Sequence, residues 1–526
     1  MNDRHELERV APGPVPTTVA PGPAQAPTFL LSRRVFLTCV AGGYALAFAQ
    51  LLEQVQGLFG ARGIAPVATS LQALGEQVHG FARLQLPTLL WFGASDGAML
   101  ALCIAGVLCA LTAMAGFLPR FALLLCWVLY LSFVCVGEPF LYFQWDALLL
   151  ETGLLAVVFA PDGLQPFGRT EREPSPVVRW LVYWLLFRLL LLSGLLKLCS
   201  GDSSWQEGKA LDFHYWTQPL PHRLSHFAHW WPGHALSLWI MFAIELGVPL
   251  LLVVPVARRR CRQVAAAATV LLMAAIAATG NYGFFNLLTA VLCVPLLDDR
   301  AWRMLLRRPA PKALTAPPHV VPAWRRIAVG AFAVVAVLAT TDRFATSFRG
   351  GGAPAWPVAL LHGIAAPVHD LVAPLQSFHS YGLFRVMTRE RPELLLEGSD
   401  DGVEWRQYGF RYKPLDEHRA PVFAGLYMPR LDWQLWFAAL SHRLDRHSEW
   451  TLGLLQRVLE GSPEVLLLLG DNPFPQHPPK QVRLRIAPYE FSTPDERAAG
   501  RWWRRGEIEP YSGAWTLVDG KLRAVR

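Results

Sequence analysis

The sequence predicts a polytopic α-helical membrane protein of about nine spans, carrying a C-terminal mainly-β, β-sandwich-like domain outside the membrane. Three observations predict it. Hydrophobic residues make up 53% of the 526-residue chain against 17% charged, and mean hydropathy is +0.29, too apolar for a soluble protein of this length. The apolar residues fall in blocks of about 16 to 22, enough to cross a bilayer at roughly 1.5 Å per residue. From about residue 376 charge density rises, and alternating patterns appear in Glu393–Glu397, Tyr408–Tyr412 and Gln481–Ile486.

Taken in order, residues 1–30 are rich in Pro, Ala and Gly and predict a disordered cytoplasmic tail. Ser32-Arg33-Arg34-Val35-Phe36-Leu37 is similar to a twin-arginine export signal, but ahead of so many spans the two arginines read as the inner anchor of the first. The apolar blocks lie at about 35–52, 97–117, 121–137, 144–160, 178–199, 236–256, 263–280, 284–297 and 327–342, giving a helical transmembrane domain over 31–342. An outer segment over 54–96 contains Leu84–Phe92, apolar but too short to span. The loop at 200–235 is aromatic and rich in histidine. Residues 343–375, with many Gly, Pro and Ala, read as a linker to an extracytoplasmic β-rich domain over 376–526. There, Ser380–Phe384 and Glu397–Trp405 read as two strands joined by a polar turn, and Gly398-Ser399-Asp400-Asp401-Gly402 as a turn using glycine at positive φ. Leu431–Leu440 and Glu449–Leu469 read as helices.

Basic residues set an orientation. With the N-terminus inside, the inner segments collect Arg33, Arg34, Arg120, Arg169, Arg172, Arg179 and the Arg258–Arg262 run, while the outer ones hold Arg62, Arg83, Lys209 and Arg223. That bias predicts N-in, and an odd number of spans places the C-terminal domain outside. The net charge of +8 is then topology information rather than a sign of nucleic-acid binding. All eight cysteines lie at or before Cys293, so the exported domain folds without disulfides, and no Cys/His spacing suggests a metal site.

Charges within spans are costly and stand out as candidates. They are Asp146 and Glu151 in the fourth block, Arg188 and Lys197 in the fifth and Glu245 in the sixth. Counting depth along each helix pairs Arg188 with Glu151 and Glu245 in one network, and Lys197 with Asp146 near the outer boundary. The plain reading is mutual neutralisation; the sharper one makes Lys197 a general base at the mouth of a cavity, with Asp146 beside it. His214, His222, His226, His229 and His234 crowd one loop, where Trp230-Trp231-Pro232 favours interfacial anchoring over metal binding. Trp433, Trp436, Phe437, Trp502 and Trp503 form either the core and bilayer seat of the outer domain or a client-binding face.

Several blocks together resemble the lipase maturation factor family: Gly57-Leu58-Phe59-Gly60, Phe143-Gln144-Trp145-Asp146, Ser193-Gly194-Leu195-Leu196-Lys197-Leu198, Leu211-Asp212-Phe213-His214-Tyr215, Thr279-Gly280-Asn281-Tyr282-Gly283, Tyr381-Gly382-Leu383-Phe384, Pro429-Arg430-Leu431-Asp432-Trp433-Gln434 and Asn472-Pro473-Phe474. The resemblance runs from about residue 30 through nearly the whole chain. It implies a membrane factor without catalytic residues or cofactor that helps exported proteins, lipases above all, reach their active fold. The composition and short loops look bacterial, which would put the N-terminus inside the cytoplasmic membrane and the C-terminal domain in the periplasm. A second, narrower likeness covers Gly194-Leu195-Leu196-Lys197-Leu198 with Trp205 and Gly208, similar to a stretch of vitamin K-dependent carboxylases. It implies the alternative, a membrane-embedded enzyme acting on a lipid or quinone-like molecule through Lys197. Expected partners are a client protein and membrane lipids, with no nucleic acid.

Overall fold

Apolar blocks become helices wherever the sequence places them. In the computed structural model, which describes residues 27–77, 80–163, 172–307, 322–348, 356–444 and 448–525, the body opens with α1 (Leu30–Phe59), α2 (Val67–Gln77), α3 (Asp96–Ala115), α4 (Pro119–Val134), α5 (Gln144–Phe159) and α6 (Pro176–Leu198). Short helices α7 (Ser203–Gln206), α8 (Ala210–Thr217) and α9 (Arg223–His229) follow in the histidine-rich loop. Then come α10 (His234–Val253), α11 (Arg258–Thr279), α12 (Phe285–Leu292), α13 (Asp299–Leu305), α14 (Ala323–Thr346) and α15 (Trp356–Val372). The expected disordered tail lies, up to residue 26, outside the described residues.

Six of these helices are long and apolar enough to cross a membrane: α1, α3, α6, α10, α11 and α14. The other three expected spans are helical but shorter, so the sequence count of nine marks helices rather than proven crossings. In α1 and α6 more than half of the most apolar window is buried within the protein, against 22–28% in the other four, and the shorter α5 is mostly buried too, so these three lie innermost.

The start of α1 is fixed by side chains from the far end of the body. Asp299 accepts the N–H groups of Leu30, Leu31 and Ser32, three of the donors that a helix N-terminus leaves unpaired. Arg33 and Arg34 therefore belong to the first turns of a packed helix. The other end of α1 runs into the C-terminal domain, where Gly57 lets the backbone of Glu464 approach; a Cβ there would collide with the Glu464 carbonyl.

The C-terminal domain holds β1 (Pro392–Ser399), β2 (Arg406–Gln407), α16 (Arg430–Leu440), α17 (Trp450–Leu459), α18 (Pro463–Leu466), β3 (Gln481–Phe491), α19 (Pro494–Ala498), β4 (Trp503–Arg505), β5 (Glu509–Pro510), β6 (Trp515–Val518) and β7 (Lys521–Ala524). Its strands form one antiparallel sheet of order β2-β1-β3-β6-β7, with β4 and β5 also pairing with β3. Helices α16 and α17 pack beside this sheet among the described residues. Asp401 holds the β1–β2 turn by accepting the N–H groups of Val403 and Glu404, with Gly402 at positive φ.

Three local expectations change. Tyr408–Tyr412 alternates but is no strand: Gly409 exchanges backbone bonds with Asp471 and Gly470 in an irregular pairing. Ser380–Phe384 is also not a strand, because it inserts into the helical body. The stretch read as a linker, 343–375, instead contains the end of α14 and all of α15, which packs against α14.

Candidate functional site

Every charged residue singled out within the body lies towards the end that receives the C-terminal domain. On α5, Asp146 sits two residues and Glu151 seven residues after Gln144, so the second lies about 10 Å along the helix. Arg188 lies ten residues before the end of α6, about 15 Å along it, and Lys197 one residue before. All four are buried.

Their partners differ from those the depth count gives. Arg188 does meet Glu151, but Glu245 does not join them; it takes Lys197 with both carboxylate oxygens, at 2.6 and 2.9 Å. Asp146 does not meet Lys197. It receives Arg430 of α16 in a two-toothed contact at 2.8 and 3.0 Å, while Tyr130 donates to it from α4 at 2.5 Å. Depth along single helices could not reveal neighbours in the bundle, and the cation for Asp146 comes from the other domain.

Arg430 is fully buried, and its fork also donates to the carbonyl of Phe140. Around it the domains share backbone bonds: Gln54 accepts from the Arg430 N–H and donates to the Met428 carbonyl, and Gln50 donates to the Leu426 carbonyl. A second arginine makes the same move. Arg391 donates to the carbonyls of Trp216, Gln218 and Pro219, capping the C-terminal end of α8, and pairs with Glu393 at 2.6 Å. Asn281 completes the seam by bonding to the carbonyl of Val422 and the N–H of Ala424.

The deeper pair, Arg188–Glu151, serves irregular backbone. Helix α15 runs back along α14, with His362 against Asp342 at 2.5 Å, and the chain then turns at Gln376 with positive φ. Residues 377–382 return toward the C-terminal domain through the body. Ser377 accepts from the Trp127 indole at 3.0 Å, the His379 carbonyl accepts from Arg188 at 2.7 Å, Tyr381 donates to Glu151 at 2.7 Å, and the Gly382 N–H donates to Gln144. Non-helical backbone at such depth survives only where protein satisfies its polar groups, and these two charges do so. The segment is a re-entrant loop, in which Gly382 packs where any side chain would strike Leu196.

The other expected site residues divide by burial. Trp433, Trp436 and Trp503 are buried and withheld from any client in this arrangement: Trp433 lies edge-on to Trp145 at 4.8 Å, Trp436 donates to the Thr217 carbonyl, and Trp503 stacks near Phe491. Trp502 is half-buried against His226, while Phe437 remains 45% exposed. The histidines are used locally. His222 caps α9, His226 bonds to the Ser492 carbonyl, His234 bridges Asp212 and the Ala228 carbonyl, and His214 lies 3.3 Å from the Tyr282 hydroxyl. Burial, then the neighbouring His234 and His226, pushes His229 down to about 4. Among the described residues no cluster of three metal-ligating side chains occurs.

Sequence reasoning missed Arg391, Arg430, Gln50, Gln54 and Tyr381 as junction residues. Gln50 and Gln54 carried a readable signal, two amides four apart on one face of a predominantly apolar helix.

Comparison with known proteins gives a concordant result for both regions. A family profile described as lipase maturation factor transmembrane domain matches residues 31–304, and one described as lipase maturation factor C-terminal domain matches 377–513. Mouse lipase maturation factor 2 is 35% identical, covering 94% of this chain and 84% of its own length. The human protein of that name is 34% identical with the same coverage. Bovine lipase maturation factor 1 is 33% identical, over 93% of this chain and 90% of its own. No solved structure matches.

Proposed function

Since this chain belongs to the lipase maturation factor family, an integral membrane family, we propose that it assists the folding of exported proteins, lipases among them, by presenting its C-terminal domain from a rigid membrane mount. The observation that carries this reading is the plug of Arg430 on Asp146: the domain is bolted to the body by a buried, two-toothed ion pair and does not swing on a tether. The N-terminus would lie inside and the C-terminal domain outside, in the periplasm if the cell is bacterial. In support, Arg120, Arg179, Arg259 and Arg325 gather at the end of the body opposite the domain.

The client surface is assigned to the apolar residues that the domain leaves exposed after docking. Phe437, Phe423 at 65% and Val403 at 80% exposure are such residues. The buried tryptophans would position this surface rather than touch the client. The alternative, an enzyme using Lys197 as base, is disfavoured because both oxygens of Glu245 hold the lysine head group, with the Trp205 ring 5.4 Å away.

The test is co-expression with a secreted lipase, reading lipase activity per unit of lipase protein. Phe437→Asp should lower it several-fold with the variant still inserted and folded. The paired change Lys197→Met with Glu245→Leu, which leaves no lone charge, should retain it. Loss of activity in that folded double variant would transfer the function to chemistry at Lys197.

A further inference from the structure

Helix α9 is built inside out. Its polar side chains Ser225 and His226 are buried, while Leu224 and Phe227, with Trp230 and Trp231 just after it, are each 44–52% exposed. A helix standing in water turns the other way, with its apolar face inward. The buried polar groups fix this orientation. Ser225 Oγ donates to the carbonyl of Thr279, the last residue of α11, and His226 Nε2 and the Trp230 indole both donate to the Ser492 carbonyl of the C-terminal domain. Helix α9 is thus wedged between the end of a long apolar helix and the domain, with an apolar face left uncovered.

Three features say what covers that face. The chain leads from it directly into α10, a helix long and apolar enough to cross a membrane, whose first turns expose Leu236, Trp239 and Ile240. Tryptophan, which collects at the membrane–water boundary, supplies three of these exposed side chains, Trp230, Trp231 and Trp239. Unanswered cations stand beside them. Arg497 of α19 lies 5.2 Å from the Phe227 ring and 5.8 Å from that of Trp502. Among the described residues no carboxylate pairs with it, although Arg501 and Arg504 in the same stretch answer Glu417 and Glu496. Arg223 is exposed, also without an acidic partner, and sits one turn before Phe227 on the same face of α9. An unfolded client would offer apolar surface but nothing for the two guanidiniums. A phospholipid offers both, acyl carbon for the rings and a phosphate for the cations.

We propose that α9 and Arg497 form a lipid-docking surface that seats the C-terminal domain on the leaflet at its own end of the body. Leu224, Phe227, Trp230 and Trp231 enter the boundary between headgroups and acyl chains, to a depth of about 5–10 Å. Arg497 and Arg223 hold the headgroup phosphate of an anionic phospholipid. The domain is then held by lipid at α9 as well as by protein at Arg430. The surface does not depend on the maturation reading, and its test uses no lipase.

The experiment places a benzophenone amino acid at Phe227 of the full-length protein, reconstituted in nanodiscs of equal phosphatidylcholine and phosphatidylglycerol, and reads the photo-adducts by mass spectrometry. The same label at Leu271, an exposed position in the middle of α11, gives the reference for bulk lipid. Phospholipid adducts are expected at both positions. The phosphatidylglycerol share at Phe227 should exceed that at Leu271 about fivefold, roughly what one arginine contributes at an anionic lipid surface. Arg497→Gln combined with Arg223→Gln should bring the two shares together while lipid adducts persist; neither arginine has an ion pair to lose, so the fold should hold. A label at Trp231 repeats the measurement should the Phe227 variant aggregate. Adducts at Leu271 but none at Phe227 or Trp231, a cross-link between two copies of the chain, or equal phosphatidylglycerol shares before the arginines are changed overturns the proposal.

Discussion

The two ends of the helical body solve the problem of charge in opposite ways. At the end holding the C-terminal domain, Asp146, Glu151, Arg188, Lys197 and Glu245 are all buried, and each has a directed partner. At the far end, Arg120 and Arg325 share Asp162 across a half-open surface, and Arg259 meets Asp298 with more than a third of its side chain exposed. The first arrangement specifies which surfaces meet, because an unmet charge there has no water to fall back on. The second leaves Arg120, Arg259 and Arg325 partly in solvent, although Asp298 and Asp299 beside them are buried, and such half-exposed pairs contribute little to stability.

The comparison is broken most sharply by removing Arg430. Arg430→Ala strands Asp146 in the interior and should cost about 3–5 kcal/mol, seen as a lower unfolding midpoint in detergent and early proteolytic release of residues after 376. Asp146→Asn combined with Arg430→Met should restore most of it; failure to restore would mean the arginine acts through its other contacts. Next, Gly57→Ala pushes a methyl into the Glu464 carbonyl at the seam and should cost about 1–3 kcal/mol. At the far end, Asp299→Asn weakens the cap on α1 and should cost about 1 kcal/mol. Arg325→Ala should change the midpoint by no more than about 0.5 kcal/mol; a large loss there would erase the contrast between the ends.

A pH series sharpens it further. The Asp432 carboxyl, near 7 when folded, sits above its unfolded value of about 4. The folded state therefore binds the extra proton between those values, and the stability this group contributes falls as pH rises through that window. Asp432→Asn keeps the neutral form, so its midpoint relative to wild type should climb between pH 5 and pH 8. A flat difference would show the carboxyl ionised throughout.

Much of the body was legible because membrane helices announce themselves by composition: each of the nine apolar blocks corresponds to a helix. The charges Asp146, Glu151, Arg188, Lys197 and Glu245 were legible as unusual, but not their partners, since contact between helices leaves no one-dimensional trace. Arg430 was hidden by its setting. It opens a helix of an otherwise polar domain, where an arginine looks solvent-facing. The re-entrant loop was hidden by Gly351–Gly352 and Pro354, Pro357, Pro367 and Pro374, which read as linker although α15 accommodates Pro367 within it. In the C-terminal domain β3 was readable by alternation, whereas β1 is buried on both faces, and Tyr408–Tyr412 alternates in a chain that pairs irregularly with 470–471.

Arg430 follows Asp146 by 284 positions. At roughly 5–20 residues per second of synthesis, the ribosome needs about 15 to 60 seconds to reach the arginine after the aspartate has emerged. Through that interval α5 sits among its neighbours with an acid awaiting its cation. A chain that stops short of Arg430 therefore has nothing in that place to meet the Asp146 carboxylate.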